Sequence, residues 1–383
     1  MPPAGDEDSD ATMTFRSSRA ALAAAKVEHV LILAEPGQPV DGERRLLARR
    51  YSLGATPLRI GRTAGNDLVL ATPEVSRSHC MVVVEPGRGA VITDLGSTNG
   101  TFVDGRRVTA PTLLTDHALI AVGSHTLLHR SGTAEQIARA ATLEQEMERA
   151  VRYVRAVLPE PIREGPIRAD WRFLPSERLG GDGFGYHRLR DGRFAVWLLD
   201  VVGHGIGSAL LAVSVMNLLR QSELPGADPG EPAQVLLTLN ALFPMDRHGG
   251  LCFSAWYGVF DPASRTLHHA AGGQHPALLV APGEAPRPLA ARNMLLGSVP
   301  DIAFRSAVDA VPAGSRLYLF SDGAFEVVGV DGTQRGLSEF TAMVAAGPDP
   351  GRPEPDRLLH EADAAKGPAP FEDDVSLLVL EFD

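Results

Sequence analysis

Residues 176–211 read SERLGGDGFGYHRLRDGRFAVWLLDVVGHGIGSALL, and the succession of textures inside this stretch decides the C-terminal fold. The run Phe194–Val202 is apolar enough for a buried strand. It carries Asp200 near its end, just before Gly203-His204-Gly205 and a helical pattern from about Ile206 to Glu223. A carboxylate at such a strand end is poised for a ligand. Asp182 lies in GGDGFG, where the missing side chains let backbone approach a ligand closely.

Two more segments repeat the arrangement further along. Ser321-Asp322-Gly323 follows an apolar run, and EDDVSLLVL from Glu372 sets Asp373 and Asp374 at the start of another. Carboxylates gathered at strand ends repel one another and rise in pKa unless a cation neutralises them. Hard oxygen ligands select Mg²⁺ or Mn²⁺ over zinc, and no His/Cys set with zinc spacing competes. Two such ions sharing one Asp can activate water for in-line attack on phosphorus. Strands are expected at Phe194–Val202, Ser254–Phe260, Thr266–Ala271, Ala277–Val280, Arg316–Ser321 and Val375–Glu381. Tight turns such as RDGR and DPASR make their pairing antiparallel, in two stacked sheets covered by helices.

These four segments, in this order, resemble the PPM-type phosphatases, specifically the bacterial SpoIIE-like branch, over roughly residues 159–383. The resemblance implies a protein serine/threonine phosphatase with two Mn²⁺ or Mg²⁺ ions, in which a metal-activated water attacks and no phosphoenzyme forms. Asp200 would bridge both metals, the Val201 carbonyl would contact one, and Asp322 and Asp373 would complete the site. Asp182 would hold a metal or its water, so Asp182 and Asp200 are the catalytic candidates. Asp374 is the less favoured member of its pair. Family members act on phosphoserine or phosphothreonine, often on small anti-sigma-factor antagonists. The chain departs from the pattern at Gly185, where a second Asp is common, and at Val202, where a small polar residue is. Gln274-His275 stands where the branch shows His then Pro, and His275 is read as a hydrogen-bonded loop residue without a role. His204, in a Gly-flanked turn, reads as shaping that turn, with a catalytic acid as the competing reading. GHGIGSA loosely echoes a dinucleotide fingerprint, but Ser208 replaces its last small residue and no βαβ repeat follows.

Upstream, glycine disappears after Gly132, and Leu143, Met147, Ala150, Val154 and Val157 recur at spacings of four and three. This is a helix over 132–158 with a heptad-like seam. It reads equally as an amphipathic linker packed on its own chain or as one strand of a two-stranded coiled coil, which would make a homodimer.

From His29 to about Arg130 the texture is all-β: short runs such as HVLIL, LRIGR, CMVVV and AVITDL alternate with turns such as EPGRG and STNG. Three signals stand out, Gly61-Arg62, Ser76-Arg77-Ser78-His79 and Gly96-Ser97-Thr98-Asn99-Gly100. Their ordered set resembles the forkhead-associated (FHA) domain over residues 29–131, an all-β sandwich. The resemblance implies binding of phosphothreonine. Arg62 offers a planar fork to a phosphate, Arg77 adds charge, Ser76 and Thr98 offer hydroxyl donors, and Asn99 can bond a peptide backbone. Gly61, His79 and Gly100 hold loop geometry.

Bulk properties agree with this organisation. At 383 residues the chain calls for more than one domain of ~100–200 residues. With 44% hydrophobic and 22% charged residues it can bury sizeable cores. A formal charge of −11 argues against a nucleic-acid partner. Apolar runs fall well short of the ~20 residues of a membrane span, and the acidic N-terminus lacks a secretory layout, so the expected location is the cytoplasm. Cys80 and Cys252 are too far apart in sequence to suggest a disulfide framework. The expected plan is a multidomain protein: a disordered tail (1–28), an FHA domain (29–131), a helical linker (132–158) and an α-β-β-α phosphatase sandwich (159–383). The competing class is a scaffold with an inactive phosphatase domain, acting through phosphopeptide binding.

Overall fold

The computed structural model describes residues 27–33, 49–221, 224–290, 292–329, 332–367 and 370–383. Most of the expected tail, residues 1–26, lies outside them. The chain divides into two units after Arg149.

Alternating apolar residues in the first unit build two sheets that face each other. One has six strands in the order 50–53, 27–33, 125–133, 119–122, 101–103 and 106–107. The other has five, in the order 68–69, 58–61, 80–85, 89–94 and 112–113. Leu31, Ile120 and Leu127 from the first sheet meet Ile60, Val82 and Ile92 from the second in one dry core. The first strand starts at Val27, two residues before the expected domain start, because Val27 and Glu28 pair with Thr133 and Gly132.

The helix runs from Ala134 to Val157. Its start is fixed by a reciprocal cap: Gln136 N–H donates to Thr133 Oγ1 (3.2 Å) and Thr133 N–H donates to Gln136 Oε1 (2.9 Å). Ile137 then packs on Val30, Ile32 and Leu128. The seam is graded rather than uniform, with Leu143 63% exposed and Val154 and Val157 buried at 8% and 5%. The helix is therefore not a free linker: its first turns belong to the first unit, and the division falls inside it.

Two antiparallel sheets make the second unit. One runs 167–174, 375–382, 315–320, 277–280 and 287–289. The other runs 182–188, 194–201, 253–261, 266–272 and 292–293, the last pairing being parallel, with 307–310 also on 266–272. Helices Ile206–Arg220 and Pro232–Leu242 cover the second sheet, and Glu354–Lys366 covers the first. Strand 182–188 contacts 375–382 and strand 194–201 contacts 315–320, so the sheets stack face to face. No helix among the described residues is long and apolar enough to cross a membrane.

Strand Asp182–Arg188 was not expected, because DGFGYHR carries two glycines that read as loop. Both are packing residues. A Cβ on Gly183 would stand 2.8 Å from Met216 Sδ, and one on Gly185 would fall on the Trp197 ring. This accounts for Gly185 where an Asp is common. Gly185→Ala should overpack this strand and lower the unfolding free energy of the second unit by about 1–3 kcal/mol, read from urea denaturation.

Candidate functional site

All the carboxylates singled out in the second unit lie at one rim of its sandwich. Asp182 opens its strand directly opposite Asp200 on the neighbouring strand. Asp322 follows strand Ser315–Phe320 at the head of a 3₁₀ turn, and Asp373 and Asp374 precede strand Val375–Phe382. One sheet thus supplies Asp182 and Asp200, and the other supplies Asp322, Asp373 and Asp374.

Two serines tie the sheets together here. Ser376 Oγ–H donates to Asp182 Oδ2 (2.7 Å). Ser321 also hydrogen-bonds the Asp182 carboxylate across the sheets, and within its own sheet its Oγ–H donates to the Asp374 carbonyl (2.8 Å) while accepting the Ser376 N–H (2.8 Å). Both serines are fully buried, and sequence reasoning did not find them. The available signal was a lone hydroxyl at the head of the apolar run VSLLVL.

The Asp373-Asp374 pair splits its roles. Asp374 is buried, and its carboxylate accepts from Ser176 N–H (2.7 Å), Ser176 Oγ (3.0 Å) and Gly181 N–H (2.7 Å). It anchors the 176–182 loop. Asp373 is exposed, accepts only the Asp374 N–H (2.7 Å) among the described residues, and leaves the rest of its carboxylate open. A Cβ on Gly181 would stand 2.8 Å from the Val201 carbonyl oxygen, so glycine keeps that oxygen uncovered.

Burial pushes Asp200 up to about 7, helped by the charges of Asp322, Asp373 and Asp374. Asp182 is raised well above the carboxylate range by burial and then by Asp200 and Asp374. Asp322 is raised chiefly by burial, and Asp373, exposed as a residue, is raised by desolvation of its carboxyl and by the charges of Asp322 and Asp374. Among the described residues no three acidic, His or Cys side chains close into a finished ligand cage. The donor set nevertheless fits divalent cations: hard oxygens only, partly buried, with like charges that a cation would neutralise.

His204 stands 72% exposed at this rim, with Nδ1 2.8 Å from Glu177 Oε1. His275 is hydrogen-bonded as expected, Nδ1 meeting the Pro276 carbonyl (3.4 Å), but most of its surroundings are aromatic. Its ring stacks on Phe320 at 4.4 Å and meets Phe325 edge-on, Nε2 has no partner, and burial takes its pKa down to about 4.

In the first unit, Arg62, Ser76, Arg77, Thr98 and Asn99 line one cleft, with Glu74 on its rim. Arg62 and Arg77 are exposed. Buried groups shape the loops beneath them. His79 accepts the Ser76 N–H at Nδ1 (3.0 Å) and meets the Gly100 carbonyl through Nε2 (3.2 Å). Asn66 Nδ2 donates to the Arg77 carbonyl (2.7 Å). Ser76 Oγ accepts the Thr98 N–H (3.0 Å), and Asn99 Nδ2 donates to the Glu74 carbonyl (2.8 Å). Asn99 therefore fixes the loop through its amide nitrogen.

Residues 190–383 match the family described as Stage II sporulation protein E (SpoIIE), half of the chain. The chain belongs to the SpoIIE family. Residues 58–123 match the FHA domain. Phosphoserine phosphatase RsbP of Bacillus subtilis is 29% identical over 183 residues, which is 48% of this chain and 45% of that protein. The transcriptional regulatory protein EmbR of Mycobacterium tuberculosis is 42% identical over 77 residues, 20% of each chain. The chain thus spans less than half the length of either relative. The SiaA-PP2C domain of Pseudomonas aeruginosa superposes with a TM-score of 0.54 at 19% identity, covering 64% of this chain and 99% of that domain, which shows the shared fold. An FHA domain followed by a SpoIIE-type domain is thus the organisation of the chain, and phosphatases of this type depend on metal ions.

The split between the paired aspartates is open to test. Asp374→Asn should cost about 1–3 kcal/mol by leaving loop donors unmatched, whereas Asp373→Asn should leave the metal-free melting temperature unchanged or higher. The rise in melting temperature on adding Mn²⁺ should be lost in Asp373→Asn and is read by calorimetry.

Proposed function

We propose that the protein is a metal-dependent protein serine/threonine phosphatase that hydrolyses phosphoserine or phosphothreonine on a signalling partner. The observation that carries this reading is the convergence of Asp182, Asp200, Asp322 and Asp373 from two sheets, unneutralised, on one open rim. Two divalent ions, Mn²⁺ or Mg²⁺, are the proposed cofactors, and Asp200, the Val201 carbonyl, Asp322, Asp373 and Asp182 would hold them. When bound, they would neutralise the carboxylates, polarise the phosphoryl oxygens and activate water. The chain's own residues contribute placement. Asp182, fixed by Ser376, and Asp200, fixed in the strand register, are the catalytic pair proposed to orient the attacking water.

The similarity to a relative named as a phosphoserine phosphatase supports the substrate class, and a small anti-sigma-factor antagonist is the proposed substrate. We further propose that Arg62, Ser76, Arg77, Thr98 and Asn99 take a phosphothreonine-bearing protein. The FHA domain would span residues 29–131, the helical connector 132–158 and the phosphatase 159–383. The exposed Leu143 on the connector supports pairing of two chains through that helix. The proposed location is the cytoplasm. The competing reading, an inactive scaffold, draws on the open spacing of the carboxylates.

Two measurements decide between these readings. With Mn²⁺ the protein should hydrolyse p-nitrophenyl phosphate and a phosphoserine peptide, and Asp200→Asn should lower kcat by at least about a hundredfold with the fold intact. Absence of turnover by the folded wild-type protein would favour the scaffold. Arg62→Ala should abolish binding of phosphothreonine peptides in a calorimetric titration, and unchanged affinity would remove the assignment of the cleft.

A further inference from the structure

The chain passes from one sheet of the second unit to the other through residues 273–276, between strands Thr266–Gly272 and Ala277–Val280. Gln274 occupies this crossover and bonds in both directions. Its Oε1 accepts the hydroxyl of Ser254, and its Nε2 donates to the carbonyl of Phe320 (3.3 Å). Ser254 is the residue directly opposite Asp200 on the adjacent strand. Phe320 ends the strand that leads, two residues later, to Asp322. One side-chain amide therefore spans the gap between the strand register that holds Asp200 and the strand end that holds Asp322.

The crossover that presents this amide is itself constrained. Gly273 has φ +70°, its N–H donates to the Asn293 carbonyl (3.0 Å), and a Cβ there would stand 2.7 Å from Leu295. Asp182 is tied to the opposite sheet by Ser376. Asp200 has no such bond of its own to the other sheet among the described residues; Asp182 opposite it on one side is tied by Ser376, and Ser254 opposite it on the other is tied by Gln274.

We propose that Gln274 is a positioning residue for the metal site, setting the distance between Asp200 and Asp322 and thereby the affinity for divalent cations. The inference rests on the metal-dependent reading above. Apolar packing fixes the two sheets in their interior, but at the rim nothing stops the Asp200 and Asp322 strand ends from spreading under carboxylate repulsion unless a polar tie holds them. Cations that must touch ligands from both sheets bind best to a gap already held at the right width. Removing groups that orient metal ligands typically costs about 10–100-fold in affinity. Gln274 lies one group behind the carboxylates, so the lower end of that range, about tenfold, applies.

The test is calorimetric titration of the chelator-stripped full chain with Mn²⁺. Gln274→Ala should bind about tenfold more weakly, with a metal-free melting temperature within a few degrees of wild type. Ser254→Ala, which keeps the crossover intact, should weaken binding in the same direction and carries the test if Gln274→Ala does not fold. Gln274→His should recover most of the affinity, because its two ring nitrogens can replace the acceptor and the donor on opposite sides. Wild-type affinity in Gln274→Ala or Ser254→Ala, or a Gln274→His protein no better than Gln274→Ala, would overturn the inference and leave the phosphatase reading standing. A wild-type protein that binds no Mn²⁺ would overturn both.

Discussion

Holding like charges at one rim is the constraint on which the second unit depends. Asp182 and Asp200 come from one sheet and Asp322, Asp373 and Asp374 from the other, so the carboxylates meet only if two separately paired sheets stack with their ends in line. Apolar burial supplies the stacking force. Leu198, Leu199, Leu319 and Phe320, all within four residues of the acidic rim, are almost completely buried. Repulsion opposes closure at the rim itself and adds to the burial that raises the pKa of Asp200 to about 7. Polar ties resolve the conflict: Ser376 and Ser321 to Asp182, and Gln274 between Ser254 and Phe320. None of them neutralises charge. They hold geometry and leave the carboxylate charge in place.

The first unit uses the opposite electrostatics with the same division of labour. Arg62 and Arg77 stay exposed on loops, while the buried His79 and Asn66 bond the loop backbone from below. Cations facing water cost little desolvation, so this cleft needs no counter-ion to stay folded. Its loops need shape instead. Gly61 makes the point, since a Cβ there would fall on the Arg77 carbonyl, so the residue before Arg62 is glycine for packing reasons. Asp94 supports the far side of the cleft. Burial raises its pKa, but bonds from Ser97, Thr101 and the Gly96 and Ser97 amides outweigh that and bring it to about 2. That carboxylate stays charged and ties the 94–101 turn at any ordinary pH.

How much of this was legible in the sequence depended on whether the deciding pattern was apolar or polar. Strands such as Phe194–Val201, Thr266–Gly272 and Ala277–Val280 declare themselves through apolar runs between turn residues, and the structure has them within one residue of the expected ends. Strand Asp182–Arg188 did not, because its glycines answer to Met216 and Trp197, which are distant in sequence. Helix Glu354–Lys366 was missed for a related reason. It buries Glu354 and Arg357, paired with each other and joined to Tyr318 and Glu361, so it lacks an apolar stripe. The candidate ligands could be named because strand ends carry them. The serines and Gln274 that arrange those ligands could not, since a single hydroxyl or amide has no periodicity to betray it.

The neighbouring Asp373 and Asp374 show how one sequence feature divides into structure and chemistry. Consecutive residues entering a strand point to opposite sides, so the two carboxylates cannot share a function even though they share a charge. Asp374 turns inward and spends its oxygens on Ser176 and Gly181, which positions the loop that carries Asp182. Asp373 turns outward beside Asp322 and His204 and spends little of its own. Exchanging their environments would undo both roles. An inward carboxylate without loop donors would be a buried unpaired charge, and an outward one bound to the loop would have no oxygen left for a cation. The acidic pair is therefore a single unit. Its inner member gives the loop its shape, and that shape sets Asp182 opposite Asp200 at the rim that Asp373 completes.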